Sequence, residues 1–149
     1  MWQAICGCGL KSAPFFCKGT INKDIYIQEC LKKRFLPFIR KHITATIFWP
    51  DLATSHYTKD SLVFMEKNGI TFVPKNINPP NTPEPRPIER YWALTKAKLR
   101  KDGRCARNVD EFKKFYLSIQ KKVGTNTVQN LMKGIKRKLR EFQRKPLIS

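Results

Sequence analysis

The stretch Ile43-Thr44-Ala45-Thr46-Ile47-Phe48-Trp49-Pro50-Asp51-Leu52-Ala53-Thr54-Ser55-His56-Tyr57 decides how this chain is read. Residues 43–49 are β-branched and aromatic, the composition of a strand, and the run ends at a carboxylate, Asp51. Only 11 acidic residues stand against 30 basic ones in the 149-residue chain, so an acid aimed out of an apolar segment needs a reason. Beyond it, residues 57–68 read as a helix stopped by Asn68-Gly69. Residues 70–73 (Ile-Thr-Phe-Val) read as a short strand ended by Pro74. Strand, helix and strand within this length predict a βαβ unit with a right-handed crossover.

Upstream, residues 1–6 and 13–18 read as two short strands joined in a hairpin through Gly7, Gly9 and Lys11-Ser12. A helix is expected over 24–41, with Asp24 near its start and an apolar face of Ile27, Cys30, Leu31, Phe35, Phe38 and Ile39. Pro37 should bend it or tighten its last turn. Downstream, residues 74–87 hold six of the ten prolines and predict an extended, rigid loop. The loop delivers a helix over 87–101, opened by Pro87 and carrying Glu89 in its first turn. Its inner stripe is Ile88, Tyr91, Trp92, Thr95 and Leu99. Asn108 and Glu111, spaced like a capping box, start another helix lined by Val109, Phe112, Phe115, Tyr116, Ile119 and Val123. Gly124-Thr125-Asn126 breaks it. A last helix over 126–143 should bury Val128, Leu131, Ile135, Leu139 and Phe142 behind a basic face of Lys133, Lys136, Arg137, Arg140 and Arg144.

Charge is uneven along the chain. Residues 1–89 carry 12 basic and 7 acidic side chains, residues 90–149 carry 18 and 4, and the whole has a formal net charge of +19. Such a basic half points to a polyanionic partner, nucleic acid being the commonest; a solvated, soluble surface is the plainer alternative. Hydrophobic residues make up 41% of the chain, which with 17 aromatics argues against disorder. Five cysteines, an odd number with no Cys-x-x-Cys pair, read as reduced and mostly buried thiols of an intracellular protein rather than as zinc ligands. No apolar run approaches the ~20 residues that span a bilayer, and the N-terminus has no signal-like segment.

The order of elements predicts an α/β fold: a ribonuclease-H-like mixed sheet flanked by helices. In that arrangement Asp51 at a strand end and Glu89 at a helix start would hold a hard cation. Paired carboxylates bind two Mg²⁺ or Mn²⁺ ions about 3.5–4 Å apart, one activating a water or hydroxyl and the other stabilising the leaving oxygen. Hard ions select oxygen ligands, so Asp and Glu suit the task and Cys does not.

Four segments in order then resemble the catalytic domain of mariner-type DDE transposases. They are Phe48-Trp49-Pro50-Asp51-Leu52-Ala53-Thr54-Ser55-His56-Tyr57, Ile70-Thr71-Phe72-Val73-Pro74, Asn78-Pro79-Pro80-Asn81-Thr82-Pro83 and Arg86-Pro87-Ile88-Glu89-Arg90-Tyr91-Trp92. Residues 20–27 and 36–39 look like the family's segment before its second acid. Thirty-seven residues separate Asp51 from Glu89, within the spacing such transposases use. The resemblance covers residues 1–101 well and the tail loosely. It implies that Asp51 is the second catalytic acid and Glu89 the third, together the metal ligands for Mg²⁺ or Mn²⁺. His56 matches the histidine after the second acid, set to touch the scissile phosphate or order the loop; a structural hydrogen bond after the strand is its other reading. Arg86 and Arg90, with Lys96 and Arg100 further along the helix, become candidate DNA-binding residues, or ordinary surface cations. Trp92 is read as core rather than as a stacking platform.

The resemblance further implies DNA as partner (transposon ends and target), a homodimer, and the nucleus as location. The family's first aspartate and its helix-turn-helix region fall before Met1, so the expected architecture lacks its first strand. Residues 1–101 would be a truncated catalytic domain, inactive in cleavage as it stands, and 102–149 a basic helical extension packed on it. Pro85 departs from the family's more usual leucine, and Asp24 falls at a non-catalytic position. Two other readings remain: a non-catalytic nucleic-acid-binding protein using the basic helices from 90 onward, and a basic RNA-associated structural protein with no site.

Overall fold

The chain is described by a computed structural model covering residues 1–78, 86–135 and 137. It forms two compact units: Met1–Ala4 with Lys11–Asn81, and Ile5–Leu10 with Thr82–Ser149. The proline-rich residues 79–85, Pro85 included, and the expected helix beyond 137, with Leu139, Phe142, Arg140 and Arg144, lie outside the described residues, as does Lys136.

The expected ribonuclease-H-like mixed sheet is not formed. Among the described residues 56% are helical and there is no β-strand and no sheet, which overturns the α/β assignment. Isolated bridges stand where strands were expected: Trp2 with Phe15, antiparallel, and Phe48 with Phe72, parallel. Each has a physical limit. At the N-terminus, Trp2 and Phe15 exchange both backbone bonds, but Ser12 N–H then bonds the Ala4 carbonyl, and the Ala4 N–H turns to Ser12 Oγ at 2.8 Å. The register slips by one residue between these contacts, so the Trp2–Phe15 bridge is not continued as a regular ladder. In the second pair, Phe48 N–H bonds Thr71 O and Val73 N–H bonds Phe48 O. Pro74 closes that segment at once. Ile43 and Ile47 stay exposed, so the β-branched run 43–47 lacks the packed neighbours from which strand propensity draws its strength.

The spine of the first unit is a continuous helix. It comprises α1 (Lys23–Ile25), a π-helical stretch Tyr26–Phe35, and α2 (Leu36–Ile39). Asn22 caps it by accepting the Ile25 N–H at 2.9 Å. In the π stretch the Leu36 N–H reaches back five residues to Leu31 O. Five-residue bonding changes which side chains face inward: Tyr26, Cys30, Leu31 and Phe35 are buried, at steps of four and five. Tyr26 thus replaces Ile27, which the ordinary helical period had put in the core and which is only half-buried. Beyond Pro37 the helix tightens: Lys41 N–H bonds Phe38 O and His42 N–H bonds Ile39 O, three residues back. Phe35 is the packing centre, its ring 4.2 Å from Phe48 and edge-on to Trp2 at 6.3 Å. α3 (Lys59–Lys67) follows a 3₁₀ turn at Thr54–Tyr57; Thr58 Oγ1 caps it by accepting the Ser61 N–H.

The second unit is helical: α4 (Pro87–Lys101), α5 (Val109–Lys122) and α6 (Thr125–Met132). α4 packs on both α5 and α6. Tyr91, Thr95 and Leu99 face inward from α4, Tyr116 and Ile119 from α5, and Val128 from α6. Asn108 caps α5 by accepting the Glu111 N–H at 2.9 Å, and Glu111 answers by accepting the Arg107 N–H at 2.7 Å. Burial pushes the Tyr91 hydroxyl up to about 12 and that of Tyr116 higher still. The last helix does not run unbroken from 126: α6 stops at Met132, where Lys133 becomes extended and Gly134 takes φ +88°. Among the described residues no helix is long and apolar enough to cross a membrane.

The cysteines are not mostly buried as expected. Only Cys30 is buried; Cys6 and Cys17 are half-buried, and Cys8 and Cys105 are exposed.

Candidate functional site

Asp51 lies in the first unit, at a turn it builds itself. After Pro50 its Oδ1 accepts the Ala53 N–H at 2.8 Å, an Asx turn that redirects the chain into the 3₁₀ segment. The same oxygen lies 2.8 Å from His56 Nδ1. His56 also reaches the Asp51 carbonyl at 3.3 Å. The imidazole is buried and stacks on the buried Tyr26 ring, with centroids 4.2 Å apart. Burial foremost, then the nearby Cys30, Asp51 and Tyr57, holds the Tyr26 hydroxyl well above its ordinary range. Tyr26 Oη has no hydrogen-bond partner among the described residues. The arrangement fixes an imidazole between a carboxylate and an aromatic face. It favours the structural reading of His56: a side chain that orders the loop after Phe48.

A second network ties together the other residues of the resemblance. Asn78 is buried; its Oδ1 accepts Trp49 Nε1–H at 2.8 Å. Its Nδ2 donates to Pro50 O at 2.8 Å and to Tyr57 Oη at 2.7 Å. Tyr57 Oη in turn donates to Val73 O at 2.9 Å. Ser61 Oγ donates to Ser55 O at 2.7 Å and closes the loop onto α3. Trp49, Pro50, Tyr57, Val73 and Asn78 therefore form one hydrogen-bonded network, adjacent along the chain to the Asp51–His56 pair. Sequence reasoning assigns no role to Tyr26, Tyr57 or Asn78. Tyr26 was hidden by the change of helical period, and nothing in the pattern distinguishes Asn78 from the loop residues beside it.

Glu89 lies in the second unit, exposed in the first turn of α4, its N–H bonded to Arg86 O at 2.9 Å. A carboxylate there complements the helix dipole. Arg86 precedes the helix as its N-cap, and Arg86 and Arg90 are half-buried. Lys96 and Arg100 stand one turn apart on the exposed face of α4. Trp92 is half-buried, on the margin of the core.

The donor set can be tested against the metal pair. Asp51 Oδ1 already meets two donors, Ala53 N–H and His56 Nδ1. Within its unit no third Asp, Glu, His or Cys joins Asp51 and His56 as a ligand set among the described residues. Glu89 belongs to the other unit. The first unit by itself thus offers Asp51 as the one carboxylate at this loop, where a two-metal centre takes two or three converging ones. Compared with known families and curated proteins, the chain matches no family model and no curated protein at significant similarity.

Proposed function

We propose that this chain is a non-cleaving, nucleic-acid-binding derivative of a mariner-type transposase catalytic region, with the basic helices of its second unit laid against phosphates. The observation that carries the binding is the state of the cations on α4 and α5. Lys96, Lys98, Arg100, Lys101, Lys113, Lys114, Lys121 and Lys122 are all exposed. Each lacks a carboxylate partner among the described residues. The ion pairs Lys23–Asp60, Lys33–Glu29, Arg34–Glu29 and His56–Asp51 belong to the first unit. An unneutralised array of this density repels itself until a polyanion displaces its counterions. The ordered resemblance around Asp51 and Glu89 supports the ancestry. The occupied Asp51 carboxylate supports the absence of cleavage.

The test is fluorescence anisotropy of duplex DNA between 50 and 200 mM salt. Binding should weaken with salt at a slope of about 0.9 per phosphate contacted, and Lys96→Ala/Arg100→Ala should lower that slope by about two. Binding that is absent or insensitive to salt would remove the proposal. Mg²⁺-dependent nicking abolished by Asp51→Asn would overturn its non-cleaving part. The same reading places the chain in the nucleus, on transposon-end or target-like DNA, as a homodimer; imaging of a tagged chain and sedimentation with and without DNA test these points.

A further inference from the structure

Residues 5–10 of the second unit form a tight turn that carries two thiols. Cys6 N–H bonds Leu10 O at 3.0 Å and Gly9 N–H bonds Cys6 O at 2.9 Å, closing the turn on itself. The Cys8 N–H points at Cys6 Sγ, 3.5 Å away. The turn is fastened to α6 at two places. Gln129 Nε2 donates to Cys8 O at 3.1 Å. Gly9, at φ +92°, lies so close to Thr125 that a Cβ there would meet Thr125 Cγ2 at 2.2 Å. Both sulfurs are consequently held on one short, braced segment, and their Sγ atoms lie within 4.8 Å of each other. Cys8 is exposed and Cys6 half-buried, so the pair is open to solvent on one side.

We propose that Cys6 and Cys8 form a chelating site for a soft metal ion, with Zn²⁺ the physiological case. Two Zn–S bonds of about 2.3 Å at a tetrahedral angle place the sulfurs about 3.8 Å apart. The present separation therefore needs a shift of no more than about 1 Å, within reach of two side-chain rotations. Thiolates select Zn²⁺, Cd²⁺ or Cu⁺ over Mg²⁺ and Ca²⁺. Burial foremost pushes the Cys6 thiol up, and the neighbouring Cys8 thiol adds to this, while the N–H groups of Cys8 and Gly7 work in the opposite direction; a metal ion has to displace the proton against that balance. On binding, each thiol loses its proton to solvent as its sulfur forms the metal bond, so one divalent ion releases two protons. Two protein ligands leave two positions to water or a further donor. The one-residue spacing differs from the Cys-x-x-Cys of common structural zinc sites. Here the turn, rather than the spacing, brings the sulfurs together.

The experiment titrates the reduced full-length protein with Cd²⁺ and follows thiolate-to-cadmium charge transfer in the ultraviolet; Zn²⁺ is then added in competition. The expected result is a step saturating at one Cd²⁺ per chain, displaced by Zn²⁺ and unaffected by millimolar Mg²⁺. It should be lost in Cys8→Ser, whose exposed position leaves the fold intact, and in Cys6→Ser, and kept in Cys105→Ser. Because two protons leave, affinity should fall by about 100-fold per unit of acidification below the thiol range. An unchanged step in Cys8→Ser, or no step in the parent chain, overturns the proposal.

Discussion

His56 Nδ1 lies 2.8 Å from Asp51 Oδ1 while its ring stacks on Tyr26. The pairing links a loop to the spine helix that precedes it by some thirty residues of chain. It also explains why an acid follows an apolar run in so basic a sequence. The carboxylate turns the backbone after Pro50 and gives the buried imidazole its shorter contact at Nδ1, beside the longer one to the Asp51 carbonyl.

Asp51 should therefore behave as a turn residue. Asp51→Asn keeps an oxygen for the Ala53 N–H and should cost under about 1 kcal/mol. Asp51→Ala removes both bonds and should cost about 1–3 kcal/mol, read by urea denaturation. DNA affinity should be unchanged in both variants. An Asp51→Asn variant as destabilised as Asp51→Ala would refute the turn-builder account.

Asn78 should be more sensitive than Asp51. Asn78→Ala strands Trp49 Nε1 and Pro50 O at once and removes a partner of Tyr57. The expected loss is about 2–4 kcal/mol, since buried polar groups left unpaired carry their full desolvation cost. Tyr57→Phe should cost about 1–2 kcal/mol. A double-mutant cycle on Asn78 and Tyr57 should show coupling; strict additivity would mean that the network is not one unit.

Local signals in this sequence were informative where they depended only on local physics. Pro87 at the first turn and Asp102-Gly103 at the end bound α4, and the Asn108–Glu111 spacing starts α5. The sheet was misread because β-branched runs such as Ile43–Ile47 describe a segment able to pair, whereas pairing needs neighbours that the run itself cannot specify. The buried helix face differs at Tyr26 because the stretch is bonded at five residues, whereas the sequence pattern follows the 3.6-residue period of an ordinary helix. For the candidate site, Asp51 and His56 were legible from their place after an apolar run. Their partners Tyr26 and Asn78 were not, because those contacts are made across the fold.

Acid should weaken the first unit. Hydrogen bonds from Lys33, then Arg34, hold the Glu29 carboxyl below its ordinary value, and Lys23 does the same for Asp60. A carboxylate depressed by folding contributes stability that is present above its unfolded pKa, about 4, and is lost as pH falls through the folded value. The melting temperature should thus decline below about pH 4. Glu29→Gln should flatten that decline by lowering stability at pH 7 by the same amount, a small one because the exposed pair is screened. An equally steep acid limb in Glu29→Gln would show that other groups set it.

Gly9→Ala tests the bracing of the thiol turn. The added Cβ would overlap Thr125 Cγ2 at 2.2 Å and the Thr125 carbonyl at 2.8 Å, and the backbone would have to keep φ +92°. Left-handed backbone alone costs an alanine about 1–2 kcal/mol, and the overlap adds to it. The turn should detach from α6, so the variant should lose stability by at least that amount and bind Cd²⁺ more weakly than the parent chain. Gly7→Ala is the matched control, because nothing lies within 4 Å of a Cβ at Gly7 and its φ is not left-handed; it should leave stability and Cd²⁺ binding near those of the parent. If Gly9→Ala matched Gly7→Ala in both measurements, the packing of the turn on Thr125 would not be what holds the two sulfurs in place.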